Sequence, residues 1–202
     1  YNTPLEKFKN ISISQALDHP SWKMGQKISI DSATMINKVY EVIEAKNIFN
    51  ISYKKIKILV HPKSYIHSII QFNDGMTKII AHDTTMKVPI LNSLQLDLNK
   101  KFNIFKQNQF KNLNLEILNN PRLKKLSPKR YPMIKLLKLL PINNSLYETV
   151  IVAANDTLVN LFLNKQIKFI EIEKKLFKFI KNKEFLNYKK KCPKNVTEIL
   201  NL

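Results

Sequence analysis

Between Asp18 and Glu44 the chain reads DHPSWKMGQKISIDSATMINKVYEVIE, a stretch in which His, Trp, Ser, Asn, Lys and Glu crowd one loop-to-helix junction. Such a junction is constrained from both sides. The first N–H groups of a helix need acceptors, and the apolar residues that follow need a core. Asp31 or Ser32 can accept from those N–H groups, which predicts a helix from about Ala33 to Phe49. Thr34, Asn37, Lys38 and Glu41 then share one face at i, i+3, i+4 and i+7, presenting an amide, an ammonium and a carboxylate together. Met35, Val39, Val42 and Ile43 make the opposite stripe and face a core. A polar face beside a helix N-terminus suits a phosphate and metal site.

These residues resemble a known family, the 1-deoxy-D-xylulose 5-phosphate reductoisomerases, whose catalytic domain carries a loop of the form HPxWxMGxKIxxDSATMxNKxxExIEA. Here the loop is HPSWKMGQKISIDSATMINKVYEVIEA. Further matches follow in the same order: HPKSYIHS from His61, Met-x-x-Pro-Ile from Met86 to Ile90, Arg-Tyr-Pro at Arg130, and Ala-Ala-Asn-Asp from Ala153 to Asp156. The ordered set is specific, while any later motif alone is weak.

The resemblance implies residue roles, each with a bland alternative. Lys38 and Asn37 would hold substrate and phosphate rather than merely solvate a helix. Glu41 would be the third carboxylate of a divalent-metal site, suited to Mg²⁺ or Mn²⁺ as hard cations. The resemblance makes Lys38, Glu41 and His67 catalytic, and His19, Trp22, Met24, Ser32 and Asn37 substrate-binding. Gly25 belongs to the cofactor side. Trp22 would close a lid over substrate and exclude water, the alternative being a core anchor. Glu44 reads as a supporting acid, His61 as structural, and His82 as a satisfied or surface histidine. Two departures stand out: Val39-Tyr40 replaces Gly-Leu, and Ile80 to Met86 lacks the usual Gly and Pro.

The implied reaction is rearrangement of 1-deoxy-D-xylulose 5-phosphate and its reduction by NADPH to 2-C-methyl-D-erythritol 4-phosphate, an isoprenoid precursor. Only two glycines occur, Gly25 and Gly75, so no G-x-G-x-x-G turn for the dinucleotide can be built from this chain. Because the first residue is Tyr1 and patterned sequence begins almost at once, the expectation is a fragment without its NADPH domain, inactive alone.

Periodicity supplies the domain reading. An α/β (α+β) portion of a catalytic domain is expected over 1–97. It includes a short helix in SISQALDHP, a buried strand in KIKILVHP, a hairpin turning at Asn73-Asp74-Gly75, and a helix over Pro89 to Leu96. An Asn- and Lys-rich linker arm is expected over 98–130. A small C-terminal α-helical bundle is expected over 131–202, with helices in MIKLLKLL, in SLYETVIVAANDTLVNLFLN capped by Ser145, in IEIEKKLFKFIKN and in VTEILNL.

The net charge of +19 would suit a polyanion, yet of 34 basic residues only Arg122 and Arg130 are arginine, the side chain that reads bases by its bidentate fork. No nucleic-acid partner is therefore expected. No uninterrupted apolar run approaches the roughly 18 residues of a membrane span, and the single Cys192 suits a reducing compartment. The expectation is a cytoplasmic protein, or a plastid-type one in a eukaryote, and the resemblance implies a homodimer acting on a phosphorylated sugar. Two alternatives remain: a divergent paralogue or noncatalytic sugar-phosphate-binding module, and a basic RNA-associated helical protein whose affinity would fall steeply with salt.

Overall fold

The computed structural model describes residues 3–18, 24–94 and 114–202. In chain order its α-helices are α1 (Ile13–Leu17), α2 (Gln26–Thr34), α3 (Ile36–Phe49), α4 (Lys87–Leu94), α5 (Leu115–Asn119), α6 (Leu146–Leu163), α7 (Phe169–Phe179), α8 (Lys183–Leu186) and α9 (Val196–Leu200). The strands are β1 (Leu59–Val60), β2 (Ile66–Gln71), β3 (Thr77–Ala81) and β4 (Lys124–Lys125). Among the described residues helices mix with two small antiparallel sheets, β1 with β4 and β2 with β3. It divides into two compact units, one of Tyr1–Ile58 with Leu126–Leu202 and one of Leu59–Lys125.

The first unit is built on α6. Leu146, Tyr147, Val150, Ile151, Ala154, Leu158, Val159 and Phe162 recur at helical spacing and are all buried. Ser145 caps this helix, accepting from the Tyr147 N–H and hydrogen-bonding Glu148. Ile172, Leu176 and Ile180, along and just beyond α7, meet α6 together with Ile30, Ile36 and Val39 from α2 and α3. The Tyr147 hydroxyl satisfies itself on the Ile180 carbonyl at 3.0 Å, so even the phenol at the centre carries no open donor. By length and composition alone α6 is apolar enough to cross a membrane. Its apolar face is buried in this core.

The expected single helix from Ala33 is two helices. Met35 adopts φ 65°, ψ 13°, in the left-handed region, and its N–H closes the last turn of α2 on the Ser32 carbonyl. Ser32 and Asp31 therefore lie in the last turns of α2 and cap nothing. A short oxygen before an apolar run marks an N-terminus only when tertiary contacts do not claim it, and here Lys27 and Asn155 claim Asp31. The expected segment MIKLLKLL is a 3-10 helix over Pro132–Lys138 that buries Met133 and Leu136.

In the second unit the hairpin forms as expected. Gly75 has φ 91° and the Asp74 carboxylate accepts from the Met76 N–H, which locks the turn between β2 and β3. The KIKILVHP strand is shorter than expected and not buried, only Leu59–Val60 pairing with Lys124–Lys125, with Leu59 exposed. Of the expected helix over Pro89 to Leu96, the described part lies in α4; residues 95–96, and 98–113 of the arm, lie outside the described residues.

Candidate functional site

The turn at Met35 re-aims the chain between α2 and α3, so that the first turn of α3 presents Asn37 and Lys38 on one side and sends Ile36 and Val39 into the core. One helical turn later Glu41 receives both. The Asn37 amide donates to Glu41 Oε1 at 2.9 Å, and the Lys38 ammonium reaches Oε1 at 2.9 Å and Oε2 at 2.7 Å. The lysine and glutamate side chains are each 45% exposed, so the pair is available to ligands and adds little to stability. Val39, where the family pattern has glycine, is fully buried on the opposite side. The departure leaves this polar face intact.

Beneath lies a network that the sequence reading did not assemble. Lys27 on α2 bridges Asp31 Oδ2 at 2.7 Å and Asp156 Oδ1 at 2.9 Å. The buried Asn155 of α6 donates to Asp31 Oδ1 at 2.8 Å. Desolvation alone would lower the Lys27 pKa, but the hydrogen bonds and charges of Asp31 and Asp156 outweigh it and hold the ammonium above its ordinary value. Burial first, then those two carboxylates, push the Tyr40 phenol well up, against a smaller opposing contribution from the Asn155 amide. The signal for this network was Asn155-Asp156 directly after the apolar run Val150–Ala154 of α6.

In the second unit His61 is buried and its Nδ1 accepts from the backbone N–H groups of Tyr65 at 2.9 Å and Ile66 at 3.1 Å. Two donors on one ring nitrogen require a neutral imidazole there, and burial lowers its pKa to match. His61 therefore holds a turn. His67, on β2, is exposed, and its Nε2–H donates to the His82 carbonyl at 3.1 Å.

His19 and Trp22 lie outside the described residues. Gly25 precedes α2 as its N-cap residue, with open space where a Cβ would stand, and half-buried Met24 adjoins it. Ser32 is half-buried and Glu44 exposed. The structure thus brings together Asn37, Lys38 and Glu41 among the residues expected from sequence. Among the described residues no three His, Cys, Asp or Glu side chains cluster to hold a metal ion. Glu41 fits such an ion as a single hard-oxygen ligand: its two oxygens already clasp one cationic group, the Lys38 ammonium.

Comparison with known proteins bears on the whole chain. The family model for the 1-deoxy-D-xylulose 5-phosphate reductoisomerase C-terminal domain matches residues 1–49, and that for the DXP reductoisomerase C-terminal domain matches residues 83–202. The 1-deoxy-D-xylulose 5-phosphate reductoisomerase of Pelagibacter ubique is 51% identical over 201 residues, covering 100% of this chain and 50% of the relative. That of a Wolbachia strain from Drosophila simulans is 40% identical, over 85% of this chain and 43% of its own length. Among solved structures, a DOX-P reductoisomerase in complex with NADPH, fosmidomycin and magnesium superposes with TM-score 0.84 at 26% identity, over 99% of this chain and 48% of its own. The Zymomonas mobilis enzyme in complex with NADPH gives TM-score 0.77 at 29% identity, over 99% and 48%. The chain spans about half the length of these relatives. With one family model covering more than half of its residues, the chain belongs to the 1-deoxy-D-xylulose 5-phosphate reductoisomerase family.

Proposed function

We propose that this chain is the substrate- and metal-binding portion of an NADPH-dependent reductoisomerase that converts 1-deoxy-D-xylulose 5-phosphate to 2-C-methyl-D-erythritol 4-phosphate. The observation that carries the reading is the Asn37, Lys38 and Glu41 constellation, a carboxylate holding an exposed ammonium and amide at 2.7 to 2.9 Å. It is supported by relatives that share the reductoisomerase name over the full span of the chain and by a structural neighbour bound to NADPH and magnesium.

Glu41 would supply one ligand to Mg²⁺ or Mn²⁺, the remaining ligands coming from outside the described residues. The ion, when bound, would polarise the substrate carbonyl as a Lewis acid. Lys38 and Asn37, beside Glu41 on the same face, would donate to anionic and hydroxyl oxygens of the sugar phosphate, where an ammonium and an amide donate well. Ser32, Met24 and His19 would line the substrate, with Trp22 closing over it and Gly25 on the cofactor side. His67 would act as a catalytic histidine, its Nε2–H donated to the His82 carbonyl. NADPH itself would be held by parts of the enzyme outside this chain.

The division into a partial catalytic domain over 1–97, a linker arm over 98–130 and a C-terminal helical domain over 131–202 goes with this reading, as do a homodimer and a cytoplasmic location. Exposed Ile69, Ile70, Ile79 and Ile80 on the hairpin support a further surface covering it. The test is NADPH oxidation by the whole enzyme. Turnover that requires both 1-deoxy-D-xylulose 5-phosphate and a divalent cation supports the reading, and the absence of either requirement overturns it.

A further inference from the structure

The second unit holds a pair of histidines that the proposed chemistry only half uses. Strands β2 and β3 place Ile66 opposite Ala81 and Ser68 opposite Ile80, so His67 is the extra residue of a β-bulge. A bulge breaks the alternation of side chains and re-aims the one it carries. Here the re-aimed imidazole lies flat on the ring of His82, with centroids 3.7 Å apart and planes within 10°.

The contact is fixed at both ends. The His82 backbone is tied in by its N–H, which donates to the Tyr65 carbonyl at 3.0 Å. Its carbonyl accepts from His67 Nε2 at 3.1 Å. The His82 ring is clamped in turn, Nδ1–H donating to the Asp83 carbonyl at 2.6 Å. Since a carbonyl can only accept, His67 carries its proton on Nε2 when neutral. One residue thus supplies both the acceptor that selects the tautomer and the flat surface that sets the plane of the ring.

We propose that His82 is a positioning residue for His67: its imidazole is the platform that holds the bulged His67 ring in one orientation, without touching substrate itself. The inference rests on the reading of His67 as an active-site residue. Ordering a strand imidazole in advance removes the cost of fixing its rotamer from the reaction. What the platform needs is an aromatic face. It does not need a second titrating group.

The test compares His82→Ala with His82→Phe in the whole enzyme, because both keep the backbone carbonyl and N–H and only the second keeps a flat ring. Two readouts are taken: the NMR resonances of the His67 ring protons, assigned with His67→Gln, and kcat and KM for the sugar phosphate. Stacking shifts the His67 ring protons upfield in the wild type and in His82→Phe, and the shift is lost in His82→Ala. Misorientation lowers kcat roughly ten- to a hundredfold in His82→Ala, with KM changed much less, and His82→Phe restores most of kcat. Unmoved His67 resonances in His82→Ala, or a His82→Phe enzyme as impaired as His82→Ala, overturn the proposal. If His82→Ala fails to fold, His82→Phe decides alone: near-normal kcat with the upfield shift retained supports the platform, and a large fall overturns it. Should the wild type fail to turn over the sugar phosphate, the reductoisomerase reading falls. The ring resonances then still judge the platform by the same pattern.

Discussion

Asn155 donates its side-chain amide to Asp31 Oδ1 at 2.8 Å, joining two buried residues 124 positions apart in the chain. Asp31 is 2% exposed and Asn155 fully buried. The bond ties the core helix α6 to α2, and α2 leads through Met35 into the helix that carries Asn37, Lys38 and Glu41. The orientation of the polar face is therefore set partly from the far end of the sequence.

Replacing Asn155 with Ala removes the amide donor to Asp31 and is expected to cost about 1–3 kcal/mol in urea unfolding, the range for a stranded buried polar group. Combined with Asp31→Ala, the loss should be less than additive, with a coupling of about 0.5–3 kcal/mol. Simple additivity would show that the two side chains do not act as a pair.

Met35 is expected to tolerate glycine and to reject a β-branched residue. Its φ of 65° is a conformation glycine adopts freely, so Met35→Gly should change stability by no more than about 1 kcal/mol in either direction. Met35→Val should cost about 1–3 kcal/mol. Equal stability of the two variants in chemical denaturation would contradict the left-handed joint.

His61 gives a pH dependence whose sign follows from its environment. Its folded pKa lies below the 6.5 of a free imidazole because it is buried. Above 6.5 both states are neutral at this residue and it contributes no pH dependence. As pH falls below 6.5, the unfolded chain takes up the proton first, so stability drops until the folded pKa is reached. Thermal unfolding of the wild type should show this loss and His61→Gln should lack it. An identical slope in both would remove His61 as the source.

Much of this architecture was legible because it rests on local rules. Asn73-Asp74-Gly75 carries its own turn chemistry, Ser145 its own cap, and the apolar spacing of α6 its own face. The grouping of Asn37, Lys38 and Glu41 was equally local, since three or four residues separate the partners. What was not legible depended on tertiary context. Asp31 looked like a helix cap because nothing near it in sequence reveals Lys27 and Asn155 as its partners. Nor does a methionine announce a left-handed turn, as a glycine would. The His67–His82 stack requires a bulge, and a bulge appears only once the register of β2 on β3 is known.

Whether Glu41 is a metal ligand is decided by turnover of the whole enzyme against Mg²⁺ or Mn²⁺ concentration, for the wild type and Glu41→Gln. A neutral amide keeps the shape but is a far weaker ligand for a hard cation. Glu41→Gln is expected to lose metal-dependent turnover at ordinary metal concentrations while unfolding at nearly the same denaturant concentration as the wild type, because the exposed Lys38–Glu41 pair contributes little to stability. A Glu41→Gln enzyme with the wild-type metal dependence would contradict the ligand assignment.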